Sequence, residues 1–155
     1  MNQAFRALQA VAVTLWVGSL WTMGLLIAPM LFRILPDRVL AGAVAGRLFS
    51  VVAYLGFACA ACLIVLVFAG SQREAKRFLL WLVMAMAALT AIGEFGIQPI
   101  LAELKEAANP LDVMQSELRG QFATWHGIAS GLYLLNCGLG GVLVVLHNRA
   151  VGPRG

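Results

Sequence analysis

Arg47, Glu94 and His126 interrupt long apolar stretches, and counting inward from the ends of those stretches places all three at about one depth. A charge in or near hydrocarbon is costly and tends to face a partner or a water-filled cavity. A guanidinium, a carboxylate and an imidazole at one level are chemistry for holding a small solute, an ion or a proton. A His–carboxylate pair that water reaches is a proton-handling element. Thr90, Glu94 and Gln98 recur every four residues and make one polar stripe on a helix. Arg119, His126, Ser130, Tyr133 and Cys137 fall broadly on one side of another. Lipid cannot satisfy such groups, so both stripes are expected to face the protein interior. The expected site is an outer-leaflet polar pocket lined by Arg47, Glu94 and His126, with Thr90, Gln98 and Ser130 around it. The competing reading is a layer that only locks helices together, each charge neutralising the next.

Sulfur supplies a second set. Cys59 and Cys62 form a C-x-x-C, Cys137 lies at a similar depth, and Met84 and Met86 are near in height. Soft ligands suit copper(I), yet cysteine also serves as a small apolar residue and methionine as a gap-filler. His126 and His147 lie on one helix at a separation of roughly 31 Å by helical rise, so they cannot both ligate one haem iron. Single-His or His/Met ligation stays open, and the cofactor is left unassigned. Membrane-hydrolase signatures and phosphate-cradling glycine loops are absent, which favours a non-enzymatic reading.

The elements that must position these residues follow from composition. The 155 residues are 61% hydrophobic and 12% charged, far from a soluble globule. A bilayer core about 30 Å thick needs roughly 20 apolar residues per helix. Four such stretches occur, at 10–31, 39–69, 78–101 and 122–146. The expected fold is all-α: an up-down-up-down four-helix transmembrane bundle in one integral membrane domain. Pro36-Asp37, Gly70-Ser71-Gln72 and Asn109-Pro110 are the expected turns, with Asp112 or Ser116 capping the fourth helix. The tail at 151–155 is expected to fray.

The net charge of +4 reads as topology, since no nucleic-acid module fits in these loops. Arg6, Arg73, Lys76, Arg77, Arg149 and Arg154 share one side, against Arg33, Arg38, Arg47, Lys105 and Arg119 on the other. Arg47 lies well inside a helix and the Arg73–Arg77 cluster occupies the shortest loop, so both termini are expected in the cytoplasm. The first apolar stretch is too long for a signal-peptide core and is read as a retained span. Nine arginines against two lysines, with abundant Ala and Gly, suggest a GC-rich bacterial genome and hence an inner membrane. The expected partners are the lipid bilayer and a small solute or ion.

Ile27-Ala28-Pro29-Met30-Leu31 is echoed by Ile97-Gln98-Pro99-Ile100-Leu101, the pattern of two hairpins related by an axis along the membrane normal. Each proline lacks an N–H and is expected to kink its span, freeing the carbonyls of Leu25 and Phe95. Gly42-x-x-x-Gly46 and Gly127-x-x-x-Gly131 are small faces expected to pack within the bundle, with oligomer contact as the alternative. Trp81 and Trp125 suit an aromatic belt.

Trp16-Val17-Gly18-Ser19-Leu20, Ala28-Pro29-Met30-Leu31-Phe32, Ala41-Gly42-x-x-x-Gly46-Arg47-Leu48-Phe49, Ile97-x-Pro99-x-Leu101 and His126 together resemble the transmembrane protein 205-like family. The resemblance covers most of the chain. It implies a small four-helix integral membrane domain, found in bacteria and eukaryotes, with no established activity. A eukaryotic member is linked with tolerance to platinum drugs, which implies metal or drug handling without defining a ligand set. A more distant likeness, by helix count alone, is to four-helix membrane families associated with copper resistance or haem biosynthesis. The rival readings are therefore a haem- or copper-handling redox protein and a purely structural or assembly subunit.

Overall fold

The computed structural model describes residues 3–68, 74–108 and 112–151, all helix and short connections with no strand among the described residues. The order is α1 (Gln3–Trp21), a π-helical turn (Thr22–Ile27), α2 (Ala28–Ile34), α3 (Arg38–Phe68), α4 (Glu74–Ala91), a second π-helical turn (Ile92–Ile97), α5 (Gln98–Ala108), a 3₁₀ turn (Val113–Gln115) and α6 (Arg119–Val151). The π turns do not interrupt their rods. Gln3–Ile34, Arg38–Phe68, Arg77–Ala108 and Arg119–Asn148 are four helices long and apolar enough to cross a membrane. Three of them overrun their expected apolar stretches, because polar flanking residues in a headgroup zone continue a helix that hydrocarbon has already nucleated, and Arg38–Phe68 matches its own to within a residue at each end.

The rods pack as a ring, α1 against α3 and α6, and α4 against the same two. Neighbours in sequence are therefore antiparallel neighbours in space. We call the end carrying the 68–74 connection the near end, and that carrying the 34–38 and 108–119 connections the far end. Trp16, Met23, Leu63, Val83, Met86 and Leu143 are fully enclosed. Against lipid these contacts stabilise through close van der Waals packing, since hydrocarbon offers no hydrophobic drive between helices.

Short polar caps start the helices that leave the far end. Asp37 Oδ1 accepts from the N–H of Val39 (2.8 Å) and Leu40 (3.2 Å), covering orphan donors of α3. Asp112 caps the 3₁₀ turn through the Met114 N–H, and Ser116 Oγ accepts from the Leu118 N–H at the entry to α6. The expected turns at 70–72 and 109–110 and most of the tail lie outside the described residues.

The repeated Ile-x-Pro motif has a backbone counterpart that differs from the simple kink expected of it. Both π turns are six residues long, both end two residues before a proline, and they begin seventy residues apart. In the first, Ala28 N–H bonds Met23 O; in the second, Gln98 N–H bonds Gly93 O. Pro29 and Pro99 have no N–H, and α-helical pairing resumes from Ala28 and Gln98. Met30 is then the one donor left for the carbonyls of Gly24, Leu25 and Leu26, and Ile100 the one left for Glu94, Phe95 and Gly96. Two carbonyls in each trio receive no helical hydrogen bond, one more than a proline alone would free.

The glycine faces also differ from expectation. A Cβ on Gly127, Gly131 or Gly138 would meet nothing within 4 Å, so this stripe of α6 lies on the outside of the chain rather than in a helix contact. The close approaches are made elsewhere. Gly56 sits against the Trp16 indole, Gly24 against the Tyr133 ring, and Gly140 between Val17 and Met86.

Candidate functional site

The deepest polar contact joins α4 to α6. Asn136, 3% exposed, donates from Nδ2 to Thr90 Oγ1 at 3.0 Å. Thr90 gives its own proton to Met86 O at 2.9 Å. The hydroxyl has one proton, so toward Asn136 it can only accept; this fixes the amide orientation. Asn136 Oδ1 is consequently turned away from Thr90, and it is buried with no hydrogen-bond partner. A buried carbonyl oxygen left unpaired costs about 1–3 kcal/mol.

Glu94 stands one turn beyond Thr90, half-buried, inside the second π turn. No ion pair reaches its carboxylate among the described residues. Helical side chains lean toward their own N-terminus. Asn136 on α6 therefore leans toward the far end and Glu94 toward the near end, which narrows the difference in their heights along the bundle axis. Gln98, half-buried, continues the stripe on α5. Room exists at the turn, because a Cβ on Gly93 or Gly96 would meet nothing within 4 Å.

Across the bundle the equivalent space is filled. Tyr133 places its ring beside Gly24 in the first π turn and donates its hydroxyl to Leu20 O at 2.7 Å. Phe49 of α3 meets that ring edge-on, with centroids 5.0 Å apart. Gly24 and Glu94 are seventy residues apart, so the two turns have the same backbone and different contents.

The expected three-residue layer does not assemble. Arg47 is exposed; it lies two residues from buried Ala45 and two from half-buried Phe49, hence on the opposite face of α3. His126 is exposed and stacks on Phe122 at 5.7 Å. The pairings Asn136–Thr90 and Phe122–Lys105 set the register of α6 on the third span. On that register His126 lies about six residues, roughly 9 Å, farther toward the far end than Glu94. Ser130 is exposed, and its hydroxyl returns to His126 O at 2.8 Å. Thr90, Glu94 and Gln98 are thus half-buried, whereas Arg47, His126 and Ser130 are exposed.

Residues missed from sequence include Asn136, Lys105, Gln9 and the buried His147. Lys105 sits half-buried at the far end, its Nζ 3.5 Å from Gly42 O and 5.8 Å from the Phe122 ring centre. Eleven residues beyond Glu94, roughly 16 Å by rise, it is too distant to neutralise that carboxylate. At the near end Gln9 and His147, each 6% exposed, come to the same height when counted from the Val17–Gly140 contact. His147 Nε2 is buried and unpaired. Val17, Leu63, Val83, Met86 and Leu143 form an apolar layer between this pair and the Glu94 level.

The thiols of Cys59, Cys62 and Cys137 are free, the first and last buried. Among the described residues no group of three or more His, Cys, Asp or Glu side chains is placed to hold a metal. A surface groove of about 430 Å³ runs between α1 and α3 past Thr14, Gly18, Ser19, Thr22, Leu48 and Val52. It contains no ionisable side chain, and Glu94 does not line it.

Known proteins add a family and no chemistry. No curated protein and no solved structure matches the chain. A family model described as a domain of unknown function, DUF4149, matches residues 11–110, which takes in the first three spans with both π turns and leaves α6 outside. With well over half of its length matched, the chain belongs to the DUF4149 family.

Proposed function

We propose that this protein is a small multi-pass membrane protein that binds, or helps to pass, a small solute, ion or proton at an interior site built on Glu94, Thr90, Asn136 and Gln98. The observation that carries the reading is the unpaired Oδ1 of Asn136, buried about one turn below a carboxylate that has no ion pair among the described residues. A purely structural lock would be expected to close its hydrogen bonds, since a half-satisfied buried network is worse than an apolar one. The expectation of Arg47, His126 and Ser130 as lining residues is dropped on their exposure. A haem- or copper-handling role has no cluster of three or more His, Cys, Asp or Glu ligands in its favour among the described residues.

The orientation we propose follows the basic residues. Both termini are cytoplasmic in a bacterial inner membrane, and the Glu94 site opens to the other side, above the apolar layer. The narrower kinship with the transmembrane protein 205-like family belongs to the same proposal and is supported by the Trp16–Leu20, Ala28–Phe32 and Gly46–Phe49 motifs.

Water access tests the reading. In a background with Cys59, Cys62 and Cys137 replaced by alanine, Glu94→Cys in intact cells should react with a membrane-impermeant thiol reagent added outside. Reaction only with a lipid-dissolved maleimide would overturn it.

A further inference from the structure

Arg47 stands exposed on α3 at the edge of the groove between the first span and α3. Leu48, the next residue, and Val51, one turn on, both line that groove, and neighbours four apart share a helix face. The Trp16–Gly56 contact sets the two rods in register. Counting nine residues from it toward the far end reaches Leu25 on the first span and Arg47 on α3, while the groove's last lining residue toward that end is Ile27. Side chains lean toward the N-terminus of their helix, so the guanidinium of Arg47 extends toward the far-end mouth of the groove. The 31 residues of α3 span roughly 46 Å against a hydrocarbon core of about 30 Å. Centred on that core, α3 places the Arg47 Cα roughly 6 Å inside the boundary, within snorkelling reach of the headgroups. No carboxylate forms an ion pair with it among the described residues.

We propose that this groove seats one acyl chain of a phospholipid of the far-end leaflet, whose phosphate is held by Arg47. Length, lining and charge agree. The lining from Thr14 to Ile27 runs for roughly 20 Å by helical rise, enough for a chain that crosses one leaflet of about 15 Å. Its volume of about 430 Å³ is bounded mainly by apolar side chains such as Leu15, Met23, Val51 and Leu55, and Gly18 leaves open the space that a side chain would fill. A phosphodiester supplies one negative charge and two oxygens that match the guanidinium fork. A second copy is the poorer occupant. Two-fold contact through this groove would set Arg47 against the same residue of the other copy at one depth, like charges in a low-dielectric setting.

The seat is independent of the Glu94 site. Delipidated protein in detergent is heated with phosphatidylglycerol, with a galactosyl diacylglycerol of the same chains, or with glycerol phosphate. Phosphatidylglycerol should raise the midpoint by ~3–6 °C, the size that mass action gives for a ligand well above its Kd. The lipid without phosphate and the phosphate without chains should each give less than half of that. Arg47→Gln should reduce the phosphatidylglycerol shift to that of the galactolipid, and Arg6→Gln, an exposed arginine at the near end, should keep it whole. Gly18→Leu, whose Cβ meets nothing within 4 Å, should fill the groove and remove at least half of the shift. Arg47 is exposed, so its variant keeps the test open should Gly18→Leu not fold. A full shift in Arg47→Gln or in a folded Gly18→Leu protein, or equal shifts from the two lipids, would overturn the seat. A lipid-free dimer that Gly18→Leu converts to monomer would overturn it too, giving the groove to a second copy.

Discussion

Asn136 and Thr90 are tied by a one-way hydrogen bond: the amide gives, the hydroxyl takes, and the hydroxyl's own proton goes back along α4 to Met86. That directionality leaves the amide oxygen exposed to the interior, and it makes the two partners unequal under mutation. Thr90→Val strips the acceptor and orphans Nδ2 as well as Oδ1; it should lower stability by about 1–3 kcal/mol. Asn136→Leu removes the orphaned Oδ1 together with Nδ2 in a similar branched shape, leaves Thr90 bonded to Met86 O, and should be neutral or stabilising. Thermal unfolding of both single variants and the double variant measures this. A loss for Asn136→Leu as large as that for Thr90→Val would mean that the amide oxygen already has a partner in the native protein.

The Trp16–Gly56 contact carries a tight small-residue requirement in the buried core. A Cβ on Gly56 would stand 2.6 Å from the indole Nε1 and 3.2 Å from the neighbouring ring carbon, and Trp16 is wholly enclosed. Gly56→Ala should therefore cost about 1–3 kcal/mol as overpacking. Gly46→Ala meets nothing within 4 Å and should gain about 0.5–1 kcal/mol from helix propensity. The opposite signs on one helix, read as midpoint shifts, separate packing from backbone preference. Shifts of the same sign would remove the argument.

Thiol reactivity should follow burial. Cys62 is half-buried, while Cys59 and Cys137 belong to the enclosed core. Under native conditions in detergent, N-ethylmaleimide followed by mass spectrometry should find Cys62 modified first and the other two only on unfolding. Early labelling of Cys137 would indicate that the region beside Tyr133 opens.

The four spans were legible because apolar length is a property of each segment alone, and 20 or so residues of hydrocarbon-compatible sequence leave few alternatives. Relations between spans were not. Counting residues from a segment's end gives depth along one helix, but the Arg47–Glu94–His126 layer depended on helix register and rotation that no count supplies. The two-residue step from Ala45 to Arg47 was enough to turn the guanidinium outward. Asn136 carried a signal that went unread: an amide between Leu135 and Cys137 in an otherwise apolar stretch is costly unless paired across helices. The repeated Ile-x-Pro motif was read as duplication, and the matching π turns place it in the backbone. Its consequence, a second freed carbonyl per turn, needs the i→i−5 pairing and is invisible to composition.

The two prolines, alike in backbone, should respond alike to the same change. Pro29→Ala and Pro99→Ala each restore an N–H beside two unbonded carbonyls, so each variant should be more stable than the parent, by up to about 3 kcal/mol. Thermal midpoints of the two single variants and of the double variant measure this. A variant less stable than its parent would mean that those carbonyls already have partners in the native protein, because only an unpaired carbonyl gains from a restored donor.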